Sequence, residues 1–242
     1  MTRRILLKLS GELMCAADGF GVEPEAAHAL ASRIRDGLAR ADTELAIVLG
    51  GGNFLRGSSI SRSSGDGAPV IDRVSGDQMG MLGTIMNAIG LCAALESIGI
   101  EARVQSAIPV GEIAEPFARR RAIAHLEKRR VLLLAGGTGH PFFTTDTTAA
   151  LRALEIGATQ FAKGTKVRGV FSEDPQQNSA AEFFPELTFD FALERRLRVM
   201  DAAAFSLCRD NGLAVQVFDM RAERSIERVI EGENIGSLVT AG

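Results

Sequence analysis

The sequence predicts an α/β fold in which a mostly parallel sheet is covered by helices on both faces. Short apolar segments alternate with longer amphipathic segments along the 242 residues, a pattern typical of repeated β-α-β units. Glycine-rich segments follow several apolar segments, at the strand ends where parallel sheets bind ligands. A chain of this length buries a full core without disulfides or structural metals.

The first half of the chain supplies five predicted elements. Arg4–Leu9 is a continuous apolar run typical of a buried strand. Pro24–Arg40 has helical periodicity, with a proline in the first turn. Leu45–Leu49 is a second apolar strand, Asp77–Ile98 a long apolar helix and Ala102–Gln105 a third strand. A polar, Ser- and Gly-rich loop is predicted between residues 58 and 69.

The second half continues the alternation. The pattern predicts a helix over Pro116–Lys128, a strand over Val131–Ala135 and a helix over Thr145–Ile156. Four further segments follow, in this order: strand and turn signals over Phe161–Phe171, a helix over Met200–Asn211, a strand over Ala214–Phe218 and a helix over Glu223–Glu231.

Composition narrows the function classes. A net charge of −3 argues against wholesale nucleic-acid binding. Cys15, Cys92 and Cys208 lack the spacing of metal ligands and are expected to be small buried hydrophobes. The start of the chain lacks the pattern of a signal peptide, and the apolar runs look too short to span a bilayer. We therefore expect a cytoplasmic protein with no membrane partner.

Lysine at the end of the first strand is the first sign of phosphate chemistry. Lys8 precedes Leu9, Ser10 and Gly11, and a cation at a buried strand end is costly unless it meets an anion. Such a lysine can neutralise phosphate oxygens during phosphoryl transfer. A lysine that extends its ammonium to solvent at a strand edge is the alternative that this pattern leaves open.

A glycine triplet follows the second strand. Gly50, Gly51 and Gly52 allow backbone amides to approach a ligand closely, and Arg56 can grip phosphate in the same loop. A bare triplet is also compatible with a plain flexible turn. The Gly-Lys-Ser/Thr of a Walker A loop is missing, and no G-x-G-x-x-G follows the first strand, so dehydrogenase function is disfavoured.

A third glycine-rich segment runs from Gly136 to Asp146, after the strand Val131–Ala135. Thr144, Thr145 and Asp146 can cap the next helix, whose N-terminus attracts phosphate. His140 invites the role of a base, but a phosphate acceptor is already anionic and needs none.

Asp77 lies at the predicted start of the long helix. Its carboxylate can cap that helix or bind vicinal ribose hydroxyls through its two oxygens. Spacing alone does not separate the two roles.

Together and in this order, these segments resemble the bacterial UMP kinases of the amino acid kinase family. The resemblance covers essentially the whole chain. The matching strings are 4–12, 19–21, 50–57, 76–82, 106–109, 138–146, 163–167 and 199–201. The Gly-Asp-Gln-Met-Gly-Met-Leu and Pro-Phe-Phe-Thr-Thr-Asp strings are highly specific, whereas the glycine triplet is shared across the wider family.

The resemblance implies ATP- and Mg²⁺-dependent phosphorylation of UMP to UDP in pyrimidine biosynthesis. It implies a three-layer α/β/α sandwich with a mainly parallel central sheet, a homohexamer, and possible activation by GTP and inhibition by UTP. One domain would span residues 1–242, with the monophosphate side mainly in 1–160 and the ATP side mainly in 161–242. The metal would be held through nucleotide phosphates, with no protein metal site.

The resemblance also implies roles for individual residues. The catalytic set is Lys8, Arg56, Asp146 and Asp201. The ATP-binding set is Lys8, Leu9, Ser10, Gly11, Gly52, Arg56, Lys163, Thr165, Phe171 and Asp174. The UMP-binding set is Gly51, Asp77, Thr138, Gly139, His140, Pro141, Phe142, Phe143, Thr144 and Thr145.

The chain departs from the family pattern at five positions. Arg168 and Thr159 replace common acidic residues and His140 replaces a common asparagine, while Ala93 and Glu96 differ from residues of the GTP-activation region. The effector response is therefore left open. Two alternatives keep the fold: a non-catalytic nucleotide-binding protein, and a kinase acting on a carboxylate or carbamate.

Overall fold

The computed structural model describes residues 3–17, 19–55 and 71–242. Arg56 and the loop predicted between residues 58 and 69 lie outside the described residues. The strands are β1 (Arg3–Leu9), β2 (Thr43–Leu49), β3 (Ala102–Ser106), β4 (Glu115–Pro116), β5 (Val131–Ala135), β6 (Gln160–Thr165), β7 (Val170–Phe171), β8 (Phe183–Phe184), β9 (Glu186–Thr188), β10 (Ala214–Asp219) and β11 (Ser237–Thr240). The helices are α1 (Pro24–Leu38), α2 (Arg73–Ser97), α3 (Arg119–Glu127), α4 (Thr145–Ile156), α5 (Phe189–Glu194), α6 (Ala202–Asp210) and α7 (Ser225–Glu231), with a 3₁₀ helix over Gly11–Met14.

Nine strands form one sheet in the order β4-β3-β5-β2-β1-β6-β10-β11-β9. Every neighbouring pair is parallel except β10 with β11. β7 and β8 form a separate antiparallel pair. The loops that follow β1, β2, β5, β6 and β10 therefore meet along one edge of the sheet, where the phosphate-type segments were predicted.

Helices cover both faces, as predicted. Alternate strand residues point to opposite faces, so Ile5 and Leu7 join one core cluster while Leu6 joins the other. Side chains of α1, α2 and α7 fill the first cluster, and side chains of α3, α4, α5 and α6 fill the second. The result is the three-layer α/β/α arrangement.

Several element boundaries differ from the prediction. Helix α2 begins at Arg73 because Asp72, not Asp77, is its N-cap and accepts a hydrogen bond from the Ser75 amide at 3.0 Å. The capping alternative for Asp77 is therefore wrong. Helix α3 begins at Arg119 because Pro116 pairs in β4. Strands β4, β8, β9 and β11 and helix α5 were not predicted, since each is only two to six residues long.

Helix α2 is long and apolar enough, by length and composition, to cross a membrane, contrary to the expectation from apolar runs. Within its most apolar window, 44% is buried in the fold. This is weak evidence for a membrane span, because core helices of soluble proteins pass the same test. Among the cysteines, Cys208 is buried as predicted, whereas Cys15 and Cys92 are only partly buried.

Candidate functional site

The N-terminus of α4 is the centre of the candidate site. Thr144 is the N-cap, and its hydroxyl accepts hydrogen bonds from the amides of Asp146 at 3.1 Å and Thr147 at 3.3 Å. Among the described residues the Thr145 amide has no protein acceptor. Since the first amides of a helix carry its positive partial charge, this end of α4 is suited to an anion.

Two lysines lie side by side next to this helix end. Lys8 of β1 is directly opposite Lys163 of β6 in the sheet register. The Asp146 carboxylate lies between them, with Oδ1 2.9 Å from the Lys8 Nζ and Oδ2 2.6 Å from the Lys163 Nζ. Lys163 also donates to the Val199 carbonyl at 2.7 Å. Two cations thus share one carboxylate, which leaves a net positive charge.

The two lysines decide the charge state of Asp146. Burial by itself raises the pKa of this carboxyl. The attraction of Lys8, then that of Lys163, and the hydrogen bonds from both ammonium groups outweigh the burial and lower its pKa below the usual value. Asp146 is therefore an anion at neutral pH, and its charge orients both lysines.

Asp201 ties α4 to α6. It is the N-cap of α6 and accepts from the amides of Ala203 and Ala204. It also accepts from the hydroxyls of Thr144 and Thr147. Burial raises its pKa, but the Thr144 hydroxyl and the Ala204 amide lead the contacts that lower it overall. The carboxylate therefore stays ionised and holds the N-cap of α4.

A first cavity of about 380 Å³ lies between the N-terminal half of α2 and the loop after β5. Its lining combines glycine backbone, threonine hydroxyls and one ion pair. The lining residues are Gly51, Gly52, Leu55, Arg73, Gly76, Asp77, Gly80, Met81, Thr84, Gly137, His140, Phe143, Thr144, Thr145 and Thr148.

A second cavity of about 430 Å³ lies on the other side of the helix end. It is lined mainly by charged side chains: Lys8, Thr144, Thr145, Asp146, Lys163, Arg198, Val199, Met200 and Asp201. Thr144 and Thr145 line both cavities. Two ligands can therefore meet at the helix N-terminus, within reach of the two lysines.

Three glycines of the site differ in what a side chain at their position would contact. A Cβ on Gly11 would lie 2.2 Å from the Gly50 carbonyl oxygen, so the loops after β1 and β2 touch only because Gly11 has no side chain. A Cβ on Gly51 would lie 2.5 Å from the Gly80 carbonyl oxygen. At Gly52 the same atom would meet no atom of the described residues within 4 Å, and Gly52 lines the first cavity.

Of the 21 predicted site residues that the structure describes, 11 line one or both cavities and ten line neither. Neither cavity is lined by Thr165, Phe171 or Asp174. Thr165 donates to the Val167 carbonyl, Phe171 packs on Phe183 in the β7–β8 hairpin, and the exposed Asp174 accepts from the Gln176 amide.

Residues 9 to 11 are also absent from both linings. Leu9 is fully buried in the core, and Ser10 caps the 3₁₀ helix by accepting from the Glu12 amide. Within the loop after β5, Thr138, Gly139, Pro141 and Phe142 do not line the first cavity, although His140 and Phe143 do.

Sequence reasoning missed four residues of this region. Asn53 and Asn87 exchange side-chain hydrogen bonds at 2.7 and 2.8 Å, and Asn87 donates to the Gly50 carbonyl, which fixes the glycine loop. A polar residue in the apolar pattern of α2 was the available signal for Asn87. Arg73 and Arg198 line the two cavities, and nothing in the local pattern distinguishes them from solvated arginines.

The described residues contain no group of three or more His, Cys, Asp or Glu side chains that could hold a metal. Asp146 is paired with two lysines and Asp201 with hydroxyls and amides. Because Mg²⁺ is usually bound by one or two carboxylates together with phosphates of a ligand, these two carboxylates fit Mg²⁺ only together with a phosphorylated ligand.

Most of the chain matches a known protein family. The model of the amino acid kinase family matches residues 3–219. The uridylate kinase of Methylococcus capsulatus is 47% identical over 240 residues, which cover 99% of this chain and 98% of that protein. The uridylate kinase of Legionella pneumophila is 46% identical over 239 residues, covering 99% and 94% of the two chains.

Solved structures give the same result. The UMP kinase of Bacillus anthracis superposes with a TM-score of 0.90 at 34% identity, covering 99% of this chain and 96% of that one. The aspartate kinase of Synechocystis superposes with a TM-score of 0.71 at 21% identity, covering 99% of this chain and 40% of that one, and shows likeness of fold alone.

Proposed function

Because the chain belongs to the amino acid kinase family and is a nucleoside monophosphate kinase, we propose that it transfers the γ-phosphoryl group of ATP to UMP, giving UDP. One observation carries this proposal. Two cavities meet at the N-terminus of α4, beside two lysines whose charges are only partly neutralised by Asp146. Two phosphorylated ligands need such a junction.

UMP occupies the first cavity in this proposal. Gly51 and Thr145 bind its phosphate, and the loop from residue 138 to residue 145 encloses the base. Asp77 binds the ribose. Its carboxylate already accepts from the Arg73 Nε and the Phe142 amide, so only part of its acceptor capacity is open to a hydroxyl.

ATP occupies the second cavity and the adjoining strand ends. Lys8, the backbone of residues 9 to 11, Arg56 and Lys163 contact its phosphates. Gly52, which lines the first cavity, contacts them from that side. Thr165, Phe171 and Asp174, on and near the β7–β8 hairpin, receive its nucleoside part. The chain then acts as one domain with its monophosphate side mainly before residue 160 and its ATP side after it.

The chemical step needs positioning and charge, not a base. An oxygen of the UMP phosphate is already anionic, so His140 has no proton to remove. Lys8 and Lys163 stabilise the negative charge on the transferred phosphoryl oxygens, and the Thr145 amide adds the helix partial charge. Asp146 keeps both ammonium groups in place. Mg²⁺, bound through nucleotide phosphates, supplies further charge neutralisation.

We further propose a cytoplasmic homohexamer in the pyrimidine pathway, without membrane or nucleic-acid partners. The outer face of α2 exposes the side chains of Leu82 and Met86 at 50% and 45%, which suits a subunit interface.

GTP activation and UTP inhibition are part of the same proposal. In the region related to GTP activation, Arg103 is paired with Glu96 at 3.0 Å. At two other departures, Thr159 donates to the Arg4 carbonyl and the Arg168 guanidinium lies 4.1 Å from the centroid of the Phe183 ring.

An ADP-release assay over a panel of acceptors tests the function. With ATP and Mg²⁺, we expect ADP formation with UMP, little with CMP, and none above background with acetylglutamate, glutamate or carbamate. No ADP at saturating UMP would sink the proposal. Nucleotide binding without turnover would then favour a binding protein, and turnover of a carboxylate or carbamate would favour a different kinase of this family.

A further inference from the structure

The loop after β5 contains a backbone conformation that its sequence does not favour. Phe142 has a φ of +72°, in the left-handed region that large side chains rarely adopt. Its ring is 63% exposed, so core packing does not impose the conformation. Something else must hold this residue in place.

Asp77 supplies that contact. The Phe142 amide donates to the Asp77 Oδ2 at 2.7 Å, across 65 residues of sequence. Phe143, the next residue, lines the first cavity, as does Asp77 itself. The hydrogen bond therefore joins the second turn of α2 to the wall of the first cavity.

Arg73 holds Asp77 in turn. Its Nε lies 2.9 Å from both carboxylate oxygens, one helical turn earlier on the same face of α2. Its guanidinium carbon lies 5.8 Å from the centroid of the Phe142 ring, within the range of a cation–π contact. Arg73, Asp77 and Phe142 thus form a closed triangle of contacts, here named the clasp.

The clasp also determines how Asp77 can receive a ligand. Each carboxylate oxygen has two acceptor positions. Among the residues that the structure describes, Oδ2 accepts from both Arg73 and Phe142, whereas Oδ1 accepts only from Arg73. One acceptor position on Oδ1 is therefore left, and Arg73 fixes the direction in which it points.

We propose that Arg73 is a positioning residue for the acceptor, acting through Asp77 to fix recognition of a ribose hydroxyl. This rests on the proposed function. A site built to bind a substrate hydroxyl discriminates against an analogue that lacks it. The wild-type protein therefore prefers UMP to 2′-deoxyuridine monophosphate, and Arg73 maintains that preference.

The test compares the two acceptors in four proteins. Arg73→Gln removes the charge, Arg73→Lys keeps it without the planar guanidinium, and Arg35→Gln is a matched control in an exposed pair with Asp36 on α1. We expect the ratio of kcat/KM for UMP over the deoxy analogue to fall about tenfold in Arg73→Gln. Arg73→Lys restores part of the ratio, and Arg35→Gln retains it.

The result is read separately from the proposed function. Absence of UMP turnover in the wild type would count against the function, and equilibrium binding of the same two nucleotides would still test Arg73. A wild type that does not distinguish the two acceptors would overturn the inference. So would an unchanged ratio in Arg73→Gln, even with a raised KM for UMP, because the arginine would then contact the phosphate or act only on stability.

Discussion

The two cavities that meet at the N-terminus of α4 are lined by different kinds of chemical groups. The first is lined mostly by glycine backbone, hydroxyls and apolar side chains, with one ion pair near Asp77. The second contains three basic and two acidic side chains among nine lining residues. Neutral groups with fixed geometry serve recognition, whereas concentrated charge serves transition-state stabilisation. Under the proposed function, the first cavity selects the acceptor and the second stabilises the charge of the transferred phosphoryl group.

The largest effect should come from removing the carboxylate shared by the two lysines. Asp146→Asn removes the counter-charge between Lys8 and Lys163, so Lys8 loses its ion pair and Lys163 keeps only its hydrogen bond to the Val199 carbonyl. We expect kcat to fall by about 10²- to 10³-fold, while the Kd for UMP changes less than about threefold. Steady-state kinetics and calorimetric UMP titration measure the two quantities.

Asp210→Asn is the control for this substitution, since Asp210 is exposed at the end of α6 and pairs only with the neighbouring Arg209. An unaffected turnover rate in Asp146→Asn would contradict the role of Asp146. A loss of UMP binding equal to the loss of rate would contradict the division of labour between the cavities.

A smaller effect is expected from substituting two adjacent glycines of the first cavity. Gly51→Ala tests packing, and Gly52→Ala tests ligand binding. In Gly51→Ala the new methyl group meets the Gly80 carbonyl, and overpacking of this kind costs about 1–3 kcal/mol. For a chain of this length, we expect its Tm to fall by about 2–12 °C. In Gly52→Ala the methyl group meets no atom of the described residues within 4 Å, so we expect Tm to stay unchanged while a nucleotide KM rises about tenfold.

Thermal unfolding and kinetics of these two adjacent variants form a matched pair. If Gly52→Ala kept the wild-type KM for both ATP and UMP, the open space beside Gly52 would not be used by either ligand.

The smallest expected effect is on the pH dependence of the free energy of unfolding. The folded pKa of Asp146 is lowered, so its contribution to stability is complete above its unfolded pKa of about 3.9 and is lost as pH falls through the folded value. We expect the difference in unfolding free energy between wild type and Asp146→Asn to be constant from pH 7 to about pH 4. Below that pH the two proteins should converge, since a protonated carboxyl resembles the amide. Urea titrations at several pH values measure this, and a difference that persists unchanged at lower pH would contradict the lowered pKa.

Local signals predicted the fold well where they were strong. Helix α4 has the predicted bounds Thr145–Ile156, because the Thr144 cap and a glycine at its C-terminus mark both ends. Helix α2 begins four residues before the predicted start, since Gly76 and Asp77 suggested an N-terminus while Asp72 provides the real one. The short strand β11 was missed because its partner β10 precedes it by many residues.

Local sequence signals predicted some residues of the candidate site, but not how they are arranged. Lys8 and Asp146 each carried a local signal of phosphate chemistry. That Lys8 lies opposite Lys163 depends on the parallel pairing of β1 with β6, across more than 150 residues of chain. Arg73 carried no signal at all, because its role comes from a left-handed residue in a distant loop.

Because Lys8 lies opposite Lys163 in adjacent strands, the free energy of unfolding depends on the concentration of anionic ligand. The single charge of the Asp146 carboxylate does not neutralise both ammonium groups. Any polyanion that binds to both lysines in the folded protein therefore stabilises the folded state. At a concentration one hundred times its Kd, such a ligand adds about 2.7 kcal/mol to the unfolding free energy. The free energy of unfolding should therefore rise with the concentration of the phosphoryl donor. When nucleotide is scarce, a larger fraction of the protein should be unfolded.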